Sequence, residues 1–142
     1  MKVAIVYTTV TPKLVELVEK EVRAALPEGT ECVSYSDPSI LEEVRDAGYV
    51  TAPPAARLVG MFAQAVSDGA DAILNCCSSV GEVADSMQDF ARYCGVPIVR
   101  IDEEMCREAV RTADRIAVMA TLPTTQTPTA NTILRVAREM NR

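Results

Sequence analysis

The sequence predicts an α/β fold: a parallel β-sheet of four to five strands flanked by helices. Three observations carry this. Short, near-continuous apolar runs such as Val3-Ala4-Ile5-Val6 and Ala72-Ile73-Leu74 read as strands buried on both faces. Segments with apolar residues at helical spacing separate them. The two kinds alternate along the whole chain, as right-handed crossovers between parallel strands require.

Taken in order, Lys2 to Thr8 is the first strand. Thr11-Pro12 supplies a cap and a first helical residue, and Leu14, Val15, Val18, Val22 and Leu26 give that helix one apolar face. Pro27-Glu28-Gly29 ends it. Thr30 to Tyr35 is a second strand. Asp37-Pro38 opens a short helix from Ser39 to Ala47, stopped by Gly48, and Tyr49 to Ala52 reads as a loop or active-site flap. Pro53-Pro54 starts a helix that closes near Gly69.

The stretch Asp71 to Glu82 opens as a buried strand and ends as a helix start. Ser79 and Glu82 have the spacing of a capping box, and one helix then buries Val83, Ala84, Met87, Phe90 and Ala91. Gly95-Val96-Pro97 turns the chain into a strand from Ile98 to Ile101, and a helix spans Glu103 to Thr112. Arg115 to Ala120 reads as a fifth strand. Thr127-Pro128 repeats the cap-and-proline device before a last helix from Thr129 to Met140. Residues 1–113 form one α/β lobe on this reading. Residues 114–142 add a strand and a helix, either at the edge of the same sheet or as the start of a second lobe.

Composition narrows the function. The chain has 142 residues, a net charge of -6 and no run of Lys or Arg, so neither a nucleic acid nor an anionic membrane is an expected partner. No apolar stretch approaches a membrane span. Five cysteines without a C-x-x-C pair or an export signal read as reduced thiols in a cytoplasm. The absence of histidine rules out Cys-His and Ser-His-Asp catalysis and argues against a zinc site. No G-x-G-x-x-G or Walker-type loop is present. No cofactor and no metal are expected.

The chemistry concentrates at Asn75-Cys76-Cys77-Ser78-Ser79, where a strand stops. Ligands of open parallel sheets bind beyond the carboxyl ends of the strands, and a thiol at a helix start is drawn toward the reactive thiolate. Strand alternation points one of the two thiols at the site. Cys77 is the first choice and Cys76 the second, while Cys32, Cys94 and Cys106 read as packing. Hydroxyls crowd three turns at the same sheet end: Thr8, Thr9 and Thr11; Ser78 and Ser79; Thr121, Thr124 and Thr125. With helix N-termini they describe a cleft for a carboxylate that needs no dedicated Arg or Lys.

In these residues the chain resembles the cofactor-independent aspartate/glutamate racemase superfamily, which also holds hydantoin racemases, maleate isomerases and arylmalonate decarboxylases. Cys76-Cys77-Ser78-Ser79 lies where that family has Ala-Cys-Asn-Thr, which places Cys77 on the catalytic cysteine. Ala120-Thr121-Leu122-Pro123-Thr124 is similar to its Ala-Thr-x-x-Thr loop, and Thr8 and Thr9 fall at its first substrate-binding turn. The resemblance implies a flavodoxin-like lobe and a racemase that moves a proton at the α-carbon with cysteine thiols. Cys77 would be catalytic; Thr8, Thr9, Ser78, Ser79, Thr121 and Thr124 would bind a small carboxylate such as an amino acid. Many members have Asp-Ser where this chain has Thr8-Thr9, and a second lobe with a second catalytic cysteine. None of Cys32, Cys94 or Cys106 lies in a matching motif. The resemblance therefore leaves open a homo-oligomer, a missing second lobe, a related single-thiol decarboxylase or isomerase, and an inactive carboxylate-binding fragment.

Overall fold

A computed structural model describes residues 1–142. The elements, in order, are β1 (Lys2–Tyr7), α1 (Pro12–Ala25), β2 (Glu31–Ser36), α2 (Pro38–Ala47), α3 (Ala52–Ser67) and β3 (Ala72–Asn75). A single 3-10 turn (Ser78–Val80) follows, then α4 (Gly81–Ser86), α5 (Gln88–Cys94), β4 (Ile98–Arg100), α6 (Glu103–Thr112) and α7 (Pro123–Glu139). The four strands form one parallel sheet in the order β2-β1-β3-β4. The flavodoxin-like α/β lobe expected from the sequence is the fold observed. No helix is long and apolar enough to cross a membrane.

The helices cover both sheet faces, as continuous apolar strands demand. On one face Ala4, Val6, Ile73 and Ile98 pack with Ile40 and Val44 of α2, Leu58 and Phe62 of α3, and Val80. On the other, Val3, Ile5 and Tyr7 meet Val18 of α1, with Cys32, Leu74 and Cys76 at the margin. The caps of the first two helices follow the sequence reading. Thr11 Oγ1 accepts from the Leu14 amide, and Asp37 Oδ1 from the Ser39 amide. Gly48 closes α2 at φ 80°, a left-handed conformation that costs glycine little.

Three expectations are corrected. Residues 115–120 are not a fifth strand: no backbone hydrogen bond joins them to another residue. The edge strand that precedes this segment is β4, and its Ile98 carbonyl already accepts from Gln88 Nε2 at 3.0 Å. Ile116 to Met119 instead lie over α6 and α7, beside Met105, Cys106 and Ile133.

The helix expected after Ser79 is two helices that meet at Met87. Gln88 accounts for the break, since its side chain spans the Ala84 carbonyl and the edge carbonyl of β4.

The last helix begins at Pro123 rather than Thr129, and Thr127-Pro128 lies within it. A proline at the helix start is tolerated because the first amides have no partner there. Pro128, one turn later, is buried.

Candidate active site

Strand order places the site. The chain leaves β1 toward β2 on one side, and β3 joins β1 on the other, so the direction of winding reverses between β1 and β3. The crevice beyond the carboxyl ends of two such strands is where open α/β sheets bind ligands. Val6 pairs with Asn75 in register. Alternation then puts Thr8 and Cys77 next along the same face, above Val6 and Asn75. Cys76 takes the opposite face with Tyr7, against α1.

The two thiols thus have different surroundings. Cys77 caps the 3-10 turn in extended backbone (φ -141°, ψ 115°) and is buried at 8% exposure. Its carbonyl accepts from Asn75 Nδ2 at 3.0 Å. Burial pushes the Cys76 thiol up to about 12, with the charge of Cys77 adding to the shift. The Sγ of Cys76 lies 4.0 Å from the Leu74 carbonyl. A thiol in that state stays protonated and inert at neutral pH.

The hydroxyls separate into three groups. Ser79 Oγ lies 3.0 Å from Thr124 Oγ1 and 2.9 Å from Thr125 Oγ1, with either partner free to donate. These bonds tie the start of α7 to the turn after β3. Thr8 is buried, and its Oγ1 has no partner; the Oδ1 of Asn75 is in the same state. Ser78 is half-buried at the start of the 3-10 turn, whereas Thr9 and Thr121 are exposed. None of these three joins the Ser79 cluster by a hydrogen bond.

The capping box is absent. Ser79 spends its hydroxyl on α7, and Glu82 accepts from Asn131 Nδ2 of α7 at 2.6 Å. Both residues lie on the first turns after β3, and both meet α7 instead of each other.

A cavity of about 300 Å³ opens between these elements. Ser79, Glu82, Pro123, Thr124, Thr127 and Pro128 form one side, and Gly48, Tyr49 and Val50 the other. The flap expected at Tyr49 is therefore a wall of this space, with Tyr49 itself 67% exposed. The N-terminus of α7 faces the cavity without a side-chain cap, since Leu122 holds the cap position. Unpaired amides at such an end favour an anion.

A second constellation braces the loop from behind. Arg100 of β4 is buried beneath α4, and its guanidinium bonds both carboxylate oxygens of Asp102 and, at 2.7 Å, Asp85. Gly81 sits directly on this guanidinium, leaving no room for a Cβ. The parts played by Asn75, Arg100 and Glu82 have no spacing signal in the sequence. Asn75 stands in the stretch where the chemistry concentrates but has no role assigned from the sequence, although a polar side chain ending a buried strand is itself a signal.

A family model described as Asp/Glu/Hydantoin racemase matches residues 3–138. No curated protein matches the chain.

Proposed function

The chain belongs to the Asp/Glu/hydantoin racemase family, and from that membership we propose that it racemises an amino acid or a close analogue with Cys77 as an acid–base group. The family supports a racemase- or isomerase-type reaction on a small carboxylate. The finer reading rests on one arrangement: Cys77 lies two residues past the end of β3 at the reversal point of the sheet, next to the cavity lining rather than in it, and two residues before a Ser79 hydroxyl bonded to Thr124 and Thr125.

The substrate carboxylate lies at the start of α7, where the uncapped helix end and the Ser79 and Thr124 hydroxyls receive it. Thr8, Thr9, Ser78 and Thr121 complete the mouth on the family's pattern. The Cys77 thiolate removes the α-proton. Charge then develops toward the carboxylate, where fixed dipoles stabilise it best. Inversion requires a second acid on the opposite face of the carbon.

One observation favours a second reading. Cys76 and Cys32 lie on the α1 side, so Cys77 is the thiol this face of β3 supplies. A single thiol suits protonation after decarboxylation of a malonate, or addition to maleate.

The test is proton NMR in heavy water with both enantiomers of aspartate, asparagine, glutamate and glutamine. Loss of the α-proton signal with wild-type protein but not with Cys77→Ser supports the assignment. Undiminished exchange by Cys77→Ser overturns it. Release of carbon dioxide from a malonate, without α-proton exchange, selects the second reading.

A further inference from the structure

Resting on the reading of Cys77 as the reactive thiol, we infer that α6 and α7 form a helical hairpin that opens as one unit along a polar seam, and that this opening uncovers the turn carrying Cys77. The first observation is where the apolar cores stop. Neither core of the sheet contains a residue beyond Ile98. Cys106 and Val110 of α6 and Val136 of α7 are buried outside both. The two helices pack on each other instead. Val110, Ile116 and Ile133 line one recess that they share, and Cys106 meets Ile116 and Ile133 at a second. Arg107 bonds Glu103 of its own helix and Glu139 of α7, and Arg142 reaches back to Asp114.

The second observation is what joins this hairpin to the sheet. The Cys106 amide donates to the Asp102 carbonyl where α6 starts, and no other backbone hydrogen bond crosses the boundary. Asp102 is itself gripped by Arg100, so the pivot is fixed to the body. Three polar rungs form the rest of the seam. Ser79 Oγ meets the Thr124 and Thr125 hydroxyls, Glu82 accepts from Asn131, and Asp85 stands 3.6 Å from Arg135. Ser79, Glu82 and Asp85 recur every third residue and so face α7 along one edge. Rungs of this kind exchange for water at small net cost. An element held by few buried apolar contacts opens before the rest of the fold does.

The third observation is that Cys77 is 8% exposed and absent from the cavity lining. A substrate therefore reaches it only after something moves. The rung nearest Cys77 is Ser79, buried at 3% beneath α7. The hairpin is the neighbour of this turn that the sheet cores do not hold, and its motion is that of a lid.

The experiment follows amide hydrogen exchange and iodoacetamide labelling of the whole chain by mass spectrometry at neutral pH. The amides of α6 and α7 are expected to exchange together, at least about tenfold faster than those of β1 and β3. Cys77 should label at least about tenfold faster than Cys76, which waits for global unfolding. Asn131→Ala combined with Arg135→Met removes two rungs, while Arg100 still holds Asp85 and Arg107 still holds Glu103 and Glu139. This variant should speed hairpin exchange and Cys77 labelling about tenfold. Ile5→Val weakens the sheet core alone. It should speed β1 exchange and Cys76 labelling severalfold and leave the hairpin and Cys77 unchanged. Two results would overturn the inference: Cys77 labelling that ignores the two-rung variant, or Ile5→Val speeding Cys77 as much as Cys76. The α-proton exchange of an amino acid separates this claim from the catalytic one. Independent opening without Cys77-dependent α-proton exchange sinks the catalytic reading and leaves the hairpin standing. Cys77-dependent α-proton exchange with Cys77 labelling that ignores the rungs sinks the hairpin alone.

Discussion

Asn75 Nδ2 donates to the carbonyl of Cys77, two residues ahead of it, at 3.0 Å. The bond closes a small turn at the end of β3 and fixes where the backbone presents the thiol. Asn75 is 1% exposed, so no water replaces its amide. Asn75→Leu keeps the branching and number of side-chain heavy atoms but leaves the Cys77 carbonyl without a donor, at a cost of about 1–3 kcal/mol in urea unfolding. Asn75→Asp adds a pH signature. A carboxylate aimed at a carbonyl fits only when protonated, which raises its folded pKa above the unfolded value. That variant is therefore most stable below the ordinary carboxylate range and loses stability as pH rises through its folded value. A variant with a flat profile from pH 4 to 8, relative to wild type, would show that the bond does not form.

Gly81 and Arg100 are coupled through space. The guanidinium occupies the volume in which a Gly81 side chain would stand. Gly81→Ala must push either α4 or the arginine aside, for about 1–3 kcal/mol of overpacking. Arg100→Leu leaves Asp102, buried at 5%, without its cation and takes from Asp85 the nearer of its two arginines, for about 3–5 kcal/mol. In the Arg100→Leu background the collision is gone, so Gly81→Ala should then cost under about 1 kcal/mol. Additive costs in the double-mutant cycle would contradict the close approach.

The burial that silences Cys76 links its thiol to stability. Its folded value of about 12 stands above the ordinary 9.0, because burial opposes the thiolate, and Cys77 opposes it further. The stabilisation from keeping it neutral is complete below the ordinary value and disappears as pH rises from 9.0 toward 12. Cys76→Ala should therefore flatten the alkaline fall in stability. Cys106, also pushed up by burial, should share with Cys76 resistance to alkylation at pH 8 until urea is added. Mass mapping of labelled peptides reads both, and rapid labelling of Cys76 in the folded protein would contradict its placement against α1.

Much of this architecture is legible in the residues because local signals and tertiary demands agree. The apolar runs of β1 and β3, the caps at Thr11 and Asp37 and the stop at Gly48 all do locally what the sheet requires. The sequence misleads where a long-range partner outbids a local one. Ser79 and Glu82 have capping-box spacing, but Thr124 and Asn131 of α7 capture both side chains. Ile116 to Met119 carry a strand's composition, yet a strand needs a free ladder, and Gln88 occupies the edge of β4. Pro128 looks like a helix start because nothing local reveals that Pro123 has already begun the helix. Asn75 and Arg100 carry no local signal for a related reason: their value lies in the loop they brace, which no spacing rule encodes.

The hydroxyl cluster gives the most direct test of the proposed carboxylate site. Ser79 Oγ contacts Thr124 Oγ1 and Thr125 Oγ1 at once, so one substitution frees two groups. Thr124 and Thr125 are only half-buried, and water can take the vacated positions. Ser79→Ala should consequently cost under about 1 kcal/mol of stability. Its effect on a carboxylate ligand should be larger, since it removes a donor and loosens the start of α7. A rise in KM of about tenfold is expected, with kcat falling less, the pattern of a group that holds the ground state and the transition state alike. Thr124→Val should act similarly. The double variant should fall short of the product of the two effects, because each single change already breaks the bond they share. Thr9→Ala serves as the control: it is exposed and outside the cluster, and its effect on KM separates the family's first-turn role from the hydroxyls bonded to Ser79. If Ser79→Ala instead lowers kcat a thousandfold with KM unchanged, the cluster acts on the transition state alone. The carboxylate would then be anchored elsewhere in the cleft.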